Sequence, residues 1–232
     1  MKTHDEIRQQ LKAIFSAQWT TRGGTKVPET TDIGLSGNDA VEIEAAVLYA
    51  DLTDSTGLVD GYKNWFAAEV YKAYLMSSCE VIKNNAGIIT AFDGDRVMAV
   101  FFDAFKNSNA AKAALQISAV AKTVNAELNA HYPNTGYVMR QTVGVDSGKL
   151  FVARTGVWKH NDLVWVGSAA NYAAKLCQNG SMTHPIRITH RVYSTLNSGS
   201  KLGGNPSRDM WEQVSLQVIG EPCYQTNWTW DF

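Results

Sequence analysis

The sequence predicts an α+β fold in which helices cover one face of a mostly antiparallel or mixed sheet, as in ferredoxin-like domains. The order of elements is the first observation, because strand and helix patterns interleave as β, α, ββ, α, β, β, α, β. The second is Asp93-Gly94-Asp95 between two apolar runs, a strong hairpin signal. The third is size: 232 residues with 45% hydrophobic content suffice for one large domain, or one ordinary domain with extended ends.

The composition argues against several classes of protein. Twenty-one basic and 22 acidic residues give a net charge of -1, so we expect no nucleic-acid partner. The longest apolar run, Val97–Phe102, has six residues, whereas a membrane span needs about 20, so we expect no membrane partner. Residues 1–10 lack the apolar stretch of a secretory signal, which predicts a cytoplasmic protein. The cysteines lack metal-ligand spacing and are expected to be buried free thiols (Cys79, Cys177 and Cys223).

The first forty residues predict a helix followed by a loop. Apolar side chains recur on one helical stripe within residues 5–18 (Ile7, Leu11, Ile14 and Phe15). We assign residues 1–20 to an amphipathic helix that packs on the body of the protein or on a second subunit. Residues 21–40 have no periodicity and are assigned to a linker or mobile loop. The compact domain spans residues 41–195, and residues 196–232 form a C-terminal β extension packed on it.

The first half of the compact domain predicts, in order, a strand over 41–51, a helix from Trp65 to a stop at Gly87, the hairpin at 93–95, and a helix from Ser108 to Pro133. The strand alternates and then runs apolar, which indicates that it enters the core before it ends at Asp51. Both helices carry apolar or small residues at spacings of three or four. Ser108 belongs to the residue types that cap helices, and Pro133 cannot continue one.

The second half predicts, in order, strands over 137–145 and 149–154 joined by a turn at Asp146-Ser147-Gly148, a strand over 163–166, a helix opened by Gly167-Ser168, a strand over 187–189, and a helix over 191–196. Two late β-like runs, Val214–Val218 and Tyr224–Trp230, complete the chain. Asp, Ser and Gly are typical turn formers, which is why residues 146–148 are assigned to a turn. The sequence contains no internal repeat.

Two carboxylates are candidates for a metal site. Asp51 ends a strand and Asp95 lies in a hairpin, so adjacent central strands would bring both to one rim of the sheet. Mg²⁺ and Mn²⁺ are usually held by one or two carboxylates plus substrate phosphates, which suits a nucleoside triphosphate site. The alternative is that Asp51 caps the following helix and Asp95 serves only the turn.

Further polar groups follow Asp51 and recur on a later helix. The string DLTDSTG places small side chains and free N–H groups at a helix start, where phosphate binds; we assign this role to Asp54, Ser55, Thr56 and Gly57. The string matches neither a Walker loop nor GxGxxG, and the sequence lacks HExxH. Asn171 and Lys175 stand at i and i+4, so they share one helix face that either meets a ligand or is an ordinary solvated face.

Four ordered motifs resemble the catalytic domain of class III nucleotidyl cyclases, relatives of adenylate and guanylate cyclases, over about residues 41–195. LYADLTDSTGL resembles the first metal motif and FDGDRVMAVFF the second. RQTVGVDSGKLFVA resembles the strand-turn-strand that carries Arg, Gly and Ser-Gly, and VWVGSAANYAAKL resembles the helix with Gly, Asn and a basic residue. Four motifs in the family's order are much more specific than any one of them, and they imply the class III cyclase fold.

The resemblance also implies a chemistry and a set of roles. Asp51 and Asp95 would bind two divalent cations, Mn²⁺ or Mg²⁺, with the Leu52 carbonyl as a further ligand, while the ribose 3′-hydroxyl attacks the α-phosphorus and pyrophosphate leaves. Asn171 would orient the ribose. Lys175, where the family commonly has arginine, would neutralise charge on the α-phosphate. The family's site forms between two catalytic domains, which implies a head-to-tail homodimer.

This chain departs from adenylate cyclases at the base pocket. Those enzymes carry a lysine four positions before the second metal aspartate and an aspartate or threonine seven positions before the asparagine, where this chain has Ala91 and Val164. Polar contacts reject the wrong base, so these residues disfavour a purine. Tyr49 and Arg96 lie beside the metal aspartates and supply bulk and donors for pyrimidine carbonyls. The structural alternatives are core packing for Tyr49 and a surface salt bridge for Arg96.

The same combination resembles the pyrimidine cyclases of the bacterial Pycsar anti-phage system, which make cyclic UMP or cyclic CMP to activate a separate effector. We expect UTP ahead of CTP as the substrate, because uracil offers two carbonyl acceptors to an arginine that only donates. The alternatives are a purine cyclase with unusual base contacts and a degenerate cyclase-like dimer that binds nucleotide without catalysis. Retention of Asp51, Asp95 and Asn171 argues against the degenerate dimer, while Lys175 leaves it open.

Overall fold

The structure is a computed structural model of the chain, and it describes residues 2–231. Its contacts group the chain into two compact units, residues 2–44 with 149–167 and residues 45–148 with 168–231. These units differ from the ranges assigned from the sequence because two long strands, Asn38–Leu52 and Gln141–Val157, each pass through both. Across the described residues, no helix is both long and apolar enough to span a membrane.

Helices and strands alternate along the chain. The helices are α1 (His4–Ser16), α2 (Ser55–Gly61), α3 (Asn64–Asn84), α4 (Lys106–His131), α5 (Ser168–Gln178), α6 (His190–Tyr193) and α7 (Ser198–Lys201). The strands are β1 (Trp19–Gly23), β2 (Asn38–Leu52), β3 (Ile88–Asp93), β4 (Arg96–Phe101), β5 (Gln141–Val157), β6 (His160–Val166), β7 (Ile186–Thr189), β8 (Leu202–Gly203), β9 (Arg208–Asp209), β10 (Glu212–Ser215) and β11 (Pro222–Thr226).

The first unit holds α1, β1, β6 and one end each of β2 and β5. The α1 helix starts with a capping box, in which the Thr3 N–H donates to the Glu6 carboxylate at 2.7 Å. Its predicted apolar stripe is exposed, and no residue of the helix is buried. The β1 strand pairs in parallel with the start of β2, from Trp19 opposite Asn38 to Gly23 opposite Glu42. A paired strand therefore occupies the start of the stretch that the sequence assigns to a linker.

The second unit is built on a sheet with the strand order β10-β11-β7-β5-β2-β4-β3. The pairs β2–β4, β3–β4, β7–β11 and β10–β11 are antiparallel, whereas β5 and β7 are parallel. Residues 45–50 of β2 and residues 97–101 of β4 are apolar and, apart from half-buried Tyr49, buried, which is typical of strands covered on both faces. The mostly antiparallel sheet predicted from the sequence is confirmed.

Helices cover both faces of this sheet. Val143 and Val145 of β5 belong to the main core cluster together with residues of α3 and α4. Successive strand residues point to opposite faces, so Gly144 points the other way. A Cβ at Gly144 would collide with the Ala173 carbonyl oxygen, so α5 packs directly on the strand backbone there. The expectation that helices lie on one face is corrected, since α5 covers the face opposite α3 and α4. The close approach is possible because α5 is rich in alanine and meets the strand at a glycine.

Two local predictions are wrong for the same physical reason. Ser108 lies within the first turn of α4 and does not cap it; its buried hydroxyl accepts a hydrogen bond from the Asn197 N–H at 2.9 Å. Residues 146–148 form a continuous part of β5, where Asp146 is fully buried and accepts from the Thr189 hydroxyl at 2.5 Å. In both places a partner distant in sequence overrides the local preference.

Aromatic residues fasten the C-terminal segment to the second unit. Trp211 is buried, and its Nε1–H donates to the Ser200 carbonyl at 2.9 Å. Trp228 and Trp230 pack partly buried against the main core, and the Trp230 N–H donates to the Leu115 carbonyl of α4. Strands β10 and β11 extend the sheet beyond β7, which places the loop between them beside α5.

Candidate active site

The two predicted metal carboxylates lie at the same edge of the sheet. The β2 and β4 strands are antiparallel neighbours with Ala50 opposite Val97, so the end of β2 at Asp51 lies beside the start of β4. The β3 and β4 strands are joined by the two-residue turn Gly94-Asp95, in which Gly94 adopts a φ of 62°. This turn presents Asp95 next to Asp51.

The electrostatics of this edge indicate a shortage of positive charge. Burial raises the pKa of Asp51, and the negative charge of Asp95 raises it further, against the opposing effects of Arg96 and the Leu52 N–H. The Oδ2 atom of Asp95 is buried and has no hydrogen-bond partner among residues 2–231. A buried carboxylate oxygen without a partner is costly unless a ligand satisfies it.

The donor set fits a hard divalent cation. Within the described part of the chain, no three His, Cys, Asp or Glu side chains surround a common metal position, so the site offers two carboxylates and backbone carbonyls. Such a set is what Mg²⁺ or Mn²⁺ uses when phosphates of a nucleotide complete its shell. The alternative in which Asp51 caps the next helix is wrong, because Asp54 is the N-cap of α2.

The start of α2 already holds a carboxylate. Asp54 adopts a left-handed backbone conformation with a φ of 60°, and its Oδ1 accepts a hydrogen bond from the Gly57 N–H at 3.3 Å. A phosphate placed at Ser55, Thr56 and Gly57 would meet this negative charge and an N–H that is already used. The structure therefore gives Asp54 a capping role, and its assignment as a phosphate contact stays a prediction.

A cation that sequence reasoning gave no role lies beside the same loop. The Thr53 N–H, two residues after Asp51, donates to the Arg140 carbonyl at 2.8 Å. The Arg140 side chain is exposed, and the residues that surround the adjoining cavity of about 270 Å³ include Lys122 and no carboxylate. The sequence signal for Arg140 was its position as the first residue of the RQTVGV motif, directly before β5.

The predicted base-binding residues of β2 and β3 form a row on one face of the sheet. Tyr49 lies opposite Met98 and Ala91 lies opposite Met98 on its other side, so the three side chains share a face. The Tyr49 hydroxyl donates to the Met98 sulfur at 3.0 Å. The Arg96 guanidinium lies over the Tyr49 ring, 5.5 Å from its centroid, and pairs with Asp93 at 2.6 Å. Half-burial raises the pKa of the Tyr49 hydroxyl, which stays protonated as a donor.

The remaining predicted base-binding residue, Val164, belongs to the other unit. It lies on β6 opposite Ala153 of β5, and its side chain is exposed. An exposed valine presents an apolar surface without hydrogen-bonding groups.

The predicted catalytic pair lies on the outer face of α5. Cys177 on this helix is buried near Asp51 and Arg96, where burial raises the pKa of its thiol to about 12. Lys175 is two residues away, about 200° around the helix, so it faces away from the sheet. Its Nζ lies 3.5 Å from the Val218 carbonyl and 5.8 Å from the centroid of the Tyr172 ring. Asn171, one turn earlier, is exposed, and its side chain makes no hydrogen bond within residues 2–231.

No protein-family model matches the chain. Curated proteins match it along nearly its whole length. A uridylate cyclase from Xanthomonas perforans is 42% identical over 232 residues, and one from Burkholderia cepacia is 39% identical over 231 residues; each match covers 99% of both proteins. The chain belongs to the uridylate cyclase family. The resemblance inferred from four motifs is thereby confirmed.

The fold of this uridylate cyclase family member is that of other nucleotidyl cyclases. A solved structure of a bacterial light-regulated adenylyl cyclase superposes with a TM-score of 0.69 at 19% sequence identity, covering 81% of this chain and 52% of that one. This likeness confirms the predicted class III cyclase fold. A shared fold does not identify the base of the substrate, which depends on the side chains of the site.

Proposed function

We propose that this chain converts UTP into 3′,5′-cyclic UMP and pyrophosphate. The observation that carries the proposal is the Arg96–Tyr49 pair directly beside the two carboxylates, Asp51 and Asp95. It puts donors for a pyrimidine next to the position of the triphosphate. Family membership with curated uridylate cyclases supports the same substrate.

Asp51, Asp95 and the Leu52 carbonyl are the groups that would hold two divalent cations, Mg²⁺ or Mn²⁺. When bound, such cations lower the pKa of the ribose 3′-hydroxyl and neutralise the triphosphate. The raised pKa of Asp51 and the unpaired Asp95 oxygen support this role, since a cation relieves both. We assign exposed Arg140, whose carbonyl accepts from the Thr53 N–H, to pair with the charge of the triphosphate.

Arg96 and Tyr49 would select the base. A guanidinium has five N–H donors, and the contact with Asp93 uses one of its nitrogens, Nη2. Uracil presents two carbonyl acceptors, whereas cytosine presents an amino group where uracil has its second carbonyl. Ala91 and Val164 contribute no polar group that a purine would need. UTP is therefore preferred to CTP, and both are preferred to purine nucleotides.

Asn171 and Lys175 would act on the ribose and on charge at the α-phosphate. Both lie on the face of α5 turned away from the carboxylates of their own chain, because Cys177 occupies the face turned toward them. We therefore propose that they serve the carboxylates of a second copy, in a homodimer with two equivalent sites. Activation of a separate effector by the cyclic nucleotide, as in anti-phage defence, remains a prediction of the resemblance.

The test is a product analysis with purified protein. ATP, GTP, CTP and UTP are each incubated with Mn²⁺ or Mg²⁺, and products are identified by mass spectrometry against 3′,5′- and 2′,3′-cyclic standards. Cyclic UMP as the main product supports the proposal, and a matched Asp95→Asn protein gives the background. Cyclic CMP as the main product would overturn the choice of uracil, and cyclic AMP or cyclic GMP would overturn the pyrimidine pocket. If none of the four nucleotides gives a cyclic product, the proposed catalysis is overturned.

A further inference from the structure

A single arginine ties α5 to the surrounding structure. The Arg191 Nε lies 3.1 Å from Asp146 Oδ1, and its Nη2 lies 2.8 Å from Glu221 Oε1. Its Nη1 donates to the Ser168 hydroxyl at 3.5 Å, and its guanidinium lies over the Tyr172 ring, 5.5 Å from the centroid. Arg191 therefore contacts β5, the loop before β11 and the first half of α5 at once.

The carboxylate under this arginine is unusual for a structural ion pair. Asp146 is fully buried in β5, and its Oδ1 also accepts from the Thr189 hydroxyl, while Oδ2 is buried without a partner among residues 2–231. Burial outweighs Arg191 and raises the pKa of Asp146 to about 6. Buried ion pairs are frequently no more stable than apolar replacements, so stability alone does not account for this cluster.

The same contacts set the position of Lys175. The Tyr172 ring contacts both cations: its centroid lies 5.5 Å from the Arg191 guanidinium and 5.8 Å from the Lys175 Nζ. The loop between β10 and β11 likewise touches both, through Glu221 to Arg191 and through the Val218 carbonyl to Lys175. A shift of Arg191 therefore moves the ring and the loop against which Lys175 rests.

We propose that Arg191 is a positioning residue that holds α5 so that Asn171 and Lys175 meet the nucleotide in the reactive geometry. This inference rests on the proposed function, because it takes Asn171 and Lys175 as the groups that act on ribose and phosphate. Arg191 itself is paired with Asp146 and Glu221, so its charge is already compensated and its role is geometric.

The test compares Arg191→Met and Arg191→Lys with Arg208→Met. Arg208 is a matched control, because its guanidinium also lies over an aromatic ring, that of Trp228. We expect Arg191→Met to lower kcat for UTP on the order of 100-fold with KM changed less than about threefold, since small misplacements cost that much. Arg191→Lys keeps the charge without the planar fork and should retain about a tenth of kcat. Arg208→Met should match the wild type.

Hydrogen exchange provides a readout that is independent of turnover. Amides of residues 168–178 should exchange at least about tenfold faster in Arg191→Met than in the wild type, while those of α4 stay unchanged. Unchanged kcat, or unchanged exchange in α5, would overturn the proposal. If Arg191→Met does not fold, kcat and the exchange of α5 amides are compared with the wild type in Arg191→Lys and Glu221→Gln instead. A wild type that does not cyclise UTP refutes the proposed function, and the exchange data then still decide whether Arg191 holds α5.

Discussion

The guanidinium of Arg96 lies over the ring of Tyr49, with 5.5 Å between its central carbon and the ring centroid, on the strand pair that also carries Asp51. The ring contacts the guanidinium on one side, and the carboxylate of Asp93 holds Nη2. The remaining donors are thereby oriented before a nucleotide binds. Orientation in advance reduces the entropy that binding would otherwise cost.

Replacement of Arg96 by alanine should reduce selection of uracil. We expect kcat/KM for UTP to fall about 10- to 100-fold, because the pocket loses its donors. The ratio of kcat/KM for UTP to kcat/KM for CTP should then approach one. Steady-state assays with all four nucleotides measure this. Arg22→Ala, which removes another salt-bridged arginine, is the control. An unchanged UTP to CTP ratio in Arg96→Ala would contradict the role in base selection.

Polar groups at Ala91 and Val164, the two apolar residues assigned to the base from the sequence, should admit purines. In the double variant Ala91→Lys, Val164→Asp, we expect kcat/KM for ATP to rise at least about tenfold relative to UTP, since purine edges then find partners. Each single variant serves as a control, because one polar group alone is expected to give a smaller change. Assays of cyclic AMP and cyclic UMP in the same reaction decide the outcome, and a double variant that shows no gain with ATP counts against the pocket assignment.

Loss of either carboxylate should abolish metal-dependent turnover and leave the fold intact. Asp51→Asn and Asp95→Asn are each expected to lower kcat on the order of 1,000-fold or more, as does removal of divalent cations with EDTA. Asp51→Asn should melt at or above the wild-type temperature, because the ionised carboxylate is disfavoured in the folded protein. Wild-type turnover in both variants would refute the metal assignment.

Mixing two inactive variants should restore activity if the site is shared between copies. Asp51→Asn and Asn171→Ala, each inactive alone, form heterodimers in which one of the two sites is complete. With random exchange of subunits, about a quarter of wild-type activity is expected. Native mass spectrometry confirms exchange, and exchanged but inactive mixtures would argue for a site within one chain.

Asp146 makes stability depend on pH. Its pKa is about 6 in the folded protein and 3.8 in the unfolded reference, so the folded state binds more protons between these values. Stability from this group is full below about pH 4 and is lost as pH rises through about 6. The unfolding free energy of wild type minus that of Asp146→Asn should fall on the order of 3 kcal/mol between pH 4 and 7, measured by urea titration. A difference that rises over this range would contradict the burial argument.

Most of the candidate site could be predicted from local signals. Asp51 after an apolar strand, Asp95 in a hairpin turn, and Asn171 with Lys175 one helical turn apart each follow from patterns within a dozen residues. The structure brings Asp51, Asp95, Tyr49 and Arg96 together as predicted from adjacent strands. The position of Arg140 beside this loop was missed, because the hydrogen bond from the Thr53 N–H to its carbonyl joins parts of the chain that no short pattern connects.

The sequence alone predicts the main helices and the hairpin of the compact domain, because turn chemistry at Gly94 and the periodicity of α3 act between near neighbours. The partners of the buried polar groups follow from tertiary packing. Residues 146–148 continue β5, the buried Ser108 hydroxyl accepts from the Asn197 N–H, and Arg191 joins Asp146 to α5. These outcomes depend on burial and on partners distant in sequence, whose free energies outweigh local preferences of a few tenths of a kcal/mol.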